Sequence, residues 1–291
     1  MKLITLNTHS LLEEEYEKKL HAFVDVIIKE QPEVFALQEV NQSLLKPVTF
    51  TANSCGYVAV TGMEVFIREG NHALNIAKLL FEAGIHYEWT WVPIKKGYET
   101  YEEGLALFSK SKIVESREFY VSKTKDYNNW RSRMVLGIKN EAYSDTWFFS
   151  AHFGWWDDKE EPFSYQWDVA DFTIKELTCG ELCYIMGDFN SPDKLSNQGY
   201  DYVRSTGWYD TWEMAGIKDL GITVGHVIDG WHDRVDGAFS KDGGMRLDYI
   251  WCNENIDVIS SEVIFNGDKY SVVSDHYGVM AQIDDIKEVE E

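Results

Sequence analysis

The chain has 291 residues, 44% of them hydrophobic and 14% aromatic. That is the composition of a folded globular protein with material for a sizeable core, and it excludes a disordered or fibrous chain. Asp and Glu number 49 against 27 Lys and Arg, a formal charge of −22, and a surface of that sign repels polyanions. The densest basic spot in mid-chain is "IKKGY" at 94–98, so no nucleic acid is expected as a partner and a small substrate fits better.

In chain order, residues 2–7 ("KLITLN") read as a short buried strand ending on Asn7. Ser10 with Glu13 forms a capping-box pattern ahead of a helix. Tyr16, Leu20, Phe23, Val24, Ile27 and Ile28 recur there at helical spacing, and Pro32 closes the element. "VFALQEV" (34–40) reads as a strand interrupted near its end by Gln38 and Glu39. A second helix is expected from about 71 to 84, with Leu74, Ala77, Leu80 and Phe81 as its inner stripe. Strand-like stretches follow: "HYEWTWVPI", "GLALFSK", "MVLGIK" and "TWFFSAHF". A third helix over about 164–178 carries Trp167, Ala170, Ile174 and Leu177, and "CYIM", "RLDYIWC", "VISSEVIF" and "HYGVMAQI" are again strands. Without strict βαβ alternation, this order favours a mixed, mostly antiparallel sheet system with helices outside over a parallel barrel or a Rossmann sheet. Five scattered prolines, no low-complexity linker and no repeat period give a single domain over 1–291.

The N-terminal "MKLITLNTHSLLEEE" turns acidic after a few apolar residues, unlike a secretory leader, and no run approaches the ~18 apolar residues of a membrane span. Cys55, Cys179, Cys183 and Cys252 show neither a CxxC nor a zinc spacing. A cytoplasmic protein with reduced thiols and no membrane partner is therefore expected, its oligomeric state left open.

Several apolar segments end in residues of one chemical palette: Asn7, Glu39, His152, Asp188 with Asn190, Asp248, and the "SDH" of Ser274, Asp275 and His276. Each has a plain alternative. The GDFN stretch makes an ordinary Asx-turn, a strand-end Glu is commonly solvated, and an isolated strand His is commonly a hydrogen-bonded core residue. Their coincidence points elsewhere, because burying so many ionisable groups singly is costly whereas around a cation they satisfy one another. An oxygen-rich set without thiolates suits Mg²⁺ or Mn²⁺ rather than zinc.

The ordered set "TLN", "LQEV", "SAHF", "MGDFN", "RLDYI" and "SDHYGV" resembles the endonuclease/exonuclease/phosphatase superfamily, from Asn7 to His276. The resemblance implies a DNase I-like four-layer α/β sandwich, two packed sheets with helices on both outer faces. It also implies metal-dependent phosphoester hydrolysis by in-line attack of water. On that reading Glu39 is the principal metal ligand with Asn7 beside it, and Asp275 helps hold a metal. Asp188 is the base for the attacking water, and Asn190 holds that water or a phosphate oxygen. His276, oriented by Asp248, donates to the phosphoryl oxygen, and His152 contacts the phosphate and protonates the leaving oxygen. His9 stands where abasic-site nucleases carry an acid, which weakens a second-metal reading there.

Longer stretches, "LNTHS", "HYEWTWVPIKKGYETYEEGLALFSK", "AHFGWWDD" and "IDGWHD", look like the RgfB-like group, which includes bacterial maltose 6'-phosphate phosphatases. That resemblance implies a cytoplasmic sugar-phosphate phosphatase. Trp155 and Trp156, just after His152, are candidates for sugar platforms at the pocket rim, with Trp231 and Tyr98 or Tyr101 as further ones. Arg133 or Arg131 of "NWRSRM" is a candidate for holding substrate, and His232 sits in the same "GWHDR" loop as Trp231. Two other readings stay open: a nuclease of the same superfamily, and a non-catalytic phospholigand-binding or regulatory protein.

Overall fold

The structure, a computed structural model, describes residues 1–50, 55–228, 231 and 243–284. Its elements run β1 (Lys2–Asn7), α1 (Tyr16–Glu30), β2 (Val34–Ser43), α2 (His72–Glu82), β3 (Glu88–Gly97), β4 (Tyr101–Ser109), β5 (Ile113–Tyr120), β6 (Met134–Asn140) and β7 (Tyr143–His152). Then come α3 (Phe163–Thr178), β8 (Leu182–Asp188), α4 (Gly199–Ser205), β9 (Tyr209–Asp210), α5 (Thr211–Met214), β10 (Ile217–Lys218), β11 (Asp248–Cys252), β12 (Val258–Ile264) and β13 (Gly278–Ile283).

Two sheets form. A seven-stranded one has the order β10-β12-β13-β1-β2-β4-β3, and a six-stranded one has the order β5-β6-β7-β8-β11-β9. Three neighbouring pairs are parallel (β1 with β2, β7 with β8, β10 with β12) and the rest are antiparallel, which is the mixed system expected.

Strand alternation divides the apolar residues into layers. On β1, β2 and β4, Leu3, Val34, Ala36, Leu105 and Leu107 face the second sheet and meet Phe148, Tyr184, Met186 and Ile250. Ile4, Leu6, Phe35, Leu37 and Phe108 face the other way, onto Leu20, Phe23 and Ile27 of α1 and Leu74 and Ala77 of α2. On the far side, Trp147, Phe149, Ile185 and Trp251 meet Trp167, Ala170 and Ile174 of α3. Helix, sheet, sheet, helix is the DNase I-like sandwich.

The local corrections have local causes. Ser10–Leu12 form a 3₁₀ turn and α1 starts only at Tyr16. The capping box does not form because the Glu13 carboxylate pairs with His9 and Lys19, while Ser10 Oγ donates to Glu39 O at 2.7 Å. Asn71 does cap α2, its side chain accepting from Leu74 N at 3.1 Å. Phe81, expected inside, is 49% exposed, since α2 buries a stripe of Leu74, Ala77 and Leu80 that stops short of it.

Candidate active site

The inner face of each central strand is apolar at one end and polar at the other. Leu3 gives way to Thr5 and Asn7 on β1, Phe148 to Ser150 and His152 on β7, Tyr184 and Met186 to Asp188 on β8, and Cys252 and Ile250 to Asp248 on β11. A middle layer of polar groups spans the sheets: Gln38 Nε2 donates to Ser150 Oγ at 3.0 Å and Thr5 Oγ1 donates to Gln38 Oε1 at 3.3 Å. Above that layer the two sheets frame a cavity of about 330 Å³, in the range of small-molecule sites. The register is close: His152 lies opposite Asp188 on the parallel pair, and Asp248 opposite Asp188 on the antiparallel one.

Two residues reach the site through departures from regular strand. A bulge in β2 between Leu37 and Val40 carries Glu39 out to the cavity with a left-handed φ of 52°. Asn190 is also left-handed, at φ 46°. Backbone of this kind is costly for a side-chain-bearing residue and persists only where surrounding contacts fix it. Gly187 of GDFN has φ 145°, and a Cβ there would meet Ala151 O at 1.9 Å, so only glycine lets β8 lie this close to β7.

Asn7 Nδ2 donates to Glu39 Oε1 at 3.0 Å and to Asp188 Oδ2 at 3.1 Å. Its carbonyl accepts from His9 N at 3.2 Å. Asn7 is thus buried, bridges the two carboxylates and is not in the cavity lining. His276 Nδ1 lies 2.9 Å from Asp248 Oδ2, and its Nε2 lies 3.8 Å from Asp188 Oδ2. Burial opposes its charge, but Asp248 and Asp188 outweigh burial and hold the imidazole well above its usual range, as an imidazolium with two donors. Asp188 is pushed up to about 7, chiefly by burial, then by Asp248, with His276 opposing.

Asn190 sits in a fixed network. Its backbone N donates to Asp188 Oδ1 at 2.8 Å, so the two residues meet through an Asx-turn. Its Nδ2 donates to Phe153 O at 3.0 Å and faces His152 Nε2 at 3.2 Å, and its Oδ1 accepts from Trp231 Nε1 at 3.3 Å. Because a carbonyl can only accept and an indole N–H can only donate, the amide orientation is determined. It follows that His152 Nε2 accepts and its proton is on Nδ1. Burial, then the charges of Arg133 and Lys95, hold His152 well below its usual range, as a neutral ring.

The part of the cavity lining from β3, β4 and the segment before β6 was not legible in advance. Lys95, Glu103 and Trp130 line it along with Arg133. Lys95 Nζ is 3.0 Å from Glu103 Oε1 and donates to Trp130 O at 3.0 Å, while Arg133 Nη1 donates to the same carbonyl at 2.7 Å. Glu103 Oε1 lies 3.9 Å from His152 Nδ1. Glu103 could have been found: it continues the inward face of Leu107 and Leu105 on β4, and a charged residue on an inward face marks a site.

The remaining candidates divide. Trp155, Trp231 and Tyr98 line the cavity, and Tyr98 is 56% exposed. Trp156 does not reach it; the post-strand turn packs it on Trp231, ring centroids 5.0 Å apart. Tyr101 is absent from the lining. Arg131 turns outward to Asp158 at 2.9 Å and lies over Trp130, leaving the cavity to Arg133. His232 lies outside the described residues. Asp275 and His9 both face the cavity, and His9 pairs with Glu13 at 2.8 Å. Burial opposes His9's charge, but Glu13, then Asp275 and Glu39, raise it to about 9.

A divalent cation fits the Glu39 side. Burial, then Glu103 and Asp275, push the Glu39 carboxyl above its usual range, the condition of acids crowded together without their counter-ion. Two compact groups could hold an ion, His9 with Glu13 and Asp275, and Asp188 with Asp248 and His276; Glu39 belongs to neither, and His9 and His276 would each give up a proton to bind one. No thiol is among them, which matches a hard ion.

The sequence profile described as "Endonuclease/Exonuclease/phosphatase family" matches residues 4–276. Among solved structures, an endonuclease/exonuclease/phosphatase family protein from Leptotrichia buccalis C-1013-b is 29% identical, with TM-score 0.84 over 97% of this chain and 99% of that one. A mannosyl-6-phosphatase of Bacteroides thetaiotaomicron VPI-5482 shares the fold at 16% identity and TM-score 0.65, over 97% of this chain and 99% of that one. A 3' phosphatase from Neisseria bound to a product DNA hairpin does so at 14% and 0.60, over 98% and 99%. No curated protein matches the sequence.

Proposed function

The chain belongs to the endonuclease/exonuclease/phosphatase family, and from that membership and the shape of the cavity we propose that it is a divalent-metal-dependent phosphomonoesterase acting on a small cytoplasmic sugar phosphate of the maltose 6'-phosphate type. The observation that carries the reading is the make-up of one open cavity. Acids suited to a cation, two buried cations and the faces of Trp130, Trp155 and Tyr98 line a cavity too small for a duplex. The mannosyl-6-phosphatase of the same fold is in keeping with it.

Glu39 with Asp275 would hold Mg²⁺ or Mn²⁺, and the ion would supply charge neutralisation to the phosphoryl oxygens. Asp188, with a proton affinity near neutrality, takes a proton from the attacking water. Asn7 and the Asn190 backbone amide fix its two oxygens, so that the base is already in place before substrate arrives. His276 donates from Nε2 to a phosphoryl oxygen while Asp248 holds Nδ1. Arg133, in the lining of the same cavity, would pair with the phosphate. His152 acts as a neutral ring against the phosphate, so the departing oxygen takes its proton from solvent. Trp155 and Trp130, ring centroids 5.2 Å apart, offer faces to a sugar ring.

The deciding experiment is phosphate release from maltose 6'-phosphate, glucose 6-phosphate, inositol phosphates and abasic DNA, each with Mg²⁺ and with EDTA. Metal-dependent preference for a sugar phosphate is expected. Preference for DNA would establish the nuclease reading instead, and no release from any substrate would leave a binding protein.

A further inference from the structure

A second bulge shapes the cationic wall. Pro93 pairs with Gly104 and Lys95 with Glu103, so Ile94 is the extra residue between them. In a regular strand Ile94 would oppose Glu103 and Lys95 would fall on the other face. The bulge instead turns both inward, Ile94 into the core between the sheets and Lys95 into the cavity. Lys95 is 6% exposed and Arg133 5%, two buried cations sharing one carbonyl, that of Trp130, with one carboxylate, Glu103, beside them. A structural ion pair matches one acid to one base; among the described residues Lys95 has such a partner in Glu103, and Arg133 has no carboxylate at ion-pair distance. An ammonium has three hydrogens, and among the described residues two of those on Lys95 are taken. Arg133 Nε has no partner among them.

We propose that Lys95 is the residue by which this cavity selects phosphate monoesters over diesters, its ammonium taking a terminal phosphate oxygen beside Arg133. The inference rests on the phosphomonoesterase reading and names the group that sets its substrate class. A monoester near neutral pH carries up to about two negative charges on three free oxygens, whereas a diester has one charge and one free oxygen fewer. Arg133, without a carboxylate at ion-pair distance, and the unused hydrogen of Lys95 complement that extra charge and oxygen. A diester fills the same space with an ester carbon, which a buried ammonium cannot contact favourably.

The test compares p-nitrophenyl phosphate with methyl p-nitrophenyl phosphate, which share a leaving group and differ by one charge. In Lys95→Met, kcat/KM for the monoester should fall roughly 10- to 100-fold and that for the diester by no more than about threefold. Lys95→Arg should recover most of the difference. The ratio is taken within one preparation, so an unfolded fraction or weakened metal binding cancels. A ratio within about twofold of the unsubstituted protein in Lys95→Met overturns the inference. If the unsubstituted protein releases no p-nitrophenol from the monoester, the phosphatase reading has failed on its own. Calorimetric binding of inorganic phosphate, with Mg²⁺ present, then decides the role of Lys95: a tenfold or greater loss of affinity in Lys95→Met upholds it, and an unchanged affinity refutes it.

Discussion

Replacing Asp188 by Asn removes the proposed base, and the structure lets its effects on rate and on stability be separated. Both Asp188 oxygens are acceptors: Oδ1 takes the Asn190 amide at 2.8 Å and Oδ2 takes Asn7 Nδ2 at 3.1 Å. An asparagine has one acceptor oxygen, so whichever way it turns, an NH₂ meets an N–H, at a cost of about 1–3 kcal/mol. The charge works in the opposite direction. The folded-state pKa is raised from 3.8 to about 7, so the associated stability is complete below pH 3.8 and is lost as pH rises through 7. Above pH 7 the uncharged substitute recovers that loss, on the order of a few kcal/mol. The two effects nearly offset each other, so Asp188→Asn should fold with a stability within a few kcal/mol of the parent. Losing a positioned base costs roughly 10²- to 10⁴-fold in rate. Initial rates of phosphate release, per mole of protein shown folded by circular dichroism, should therefore show kcat down by that factor. A kcat within threefold of the parent would refute the assignment.

Three further outcomes follow from particular contacts. His72 is buried against the Tyr16 hydroxyl at 3.0 Å and held neutral, its pKa lowered to about 3 by burial. Its contribution is complete above pH 6.5 and fades as pH falls toward 3, about 3 kcal/mol by pH 4.5; His72→Gln should flatten that limb in urea midpoints measured from pH 4 to 7. Trp231→Phe removes the donor to Asn190 Oδ1 and should lower kcat/KM roughly 10-fold with the far-ultraviolet spectrum unchanged. Saturating Mg²⁺ should raise the melting temperature of the parent by roughly 4–8 °C, and most of that rise should vanish in Glu39→Gln; an equal rise in both would remove Glu39 from the metal site.

The sequence was most readable where regular alternation continues to the last residue of a strand. Asn7, His152, Asp188 and Asp248 all lie on inward faces that begin apolar, so a polar residue in phase with the core marks the site. What was missed lies where the phase breaks. The β3 bulge moves Lys95 to the face that alternation denies it, and a bulge has no signature in a chain of single letters. Trp156 was misplaced because a turn, not a strand, follows His152 and packs its ring onto Trp231 and not at the pocket rim. The capping box failed because Glu13 has a stronger partner in His9, which the local pattern cannot weigh.

Charge distinguishes how a small substrate and a polymer would fare at this site. The chain carries −22, yet the cavity lining includes Lys95, Lys96, Arg133 and the raised His9 and His276 against Glu39, Glu103, Asp188 and Asp275. With a divalent ion among those acids, the interior becomes attractive to phosphate although the exterior repels it. A duplex would lie against the repulsive exterior over several screening lengths of about 10 Å each, whereas a sugar phosphate meets it only at the entrance. Salt therefore has opposite effects in the two cases. For a small dianion, raising NaCl from 50 to 300 mM at fixed Mg²⁺ screens repulsion on approach, and kcat/KM should rise or hold within about twofold. A protein that holds a polyanion by neutralising phosphates loses affinity steeply over the same range. A fall of tenfold or more in kcat/KM with salt would mean that the working charge on the approach path is positive, and the proposed substrate class would have to be given up.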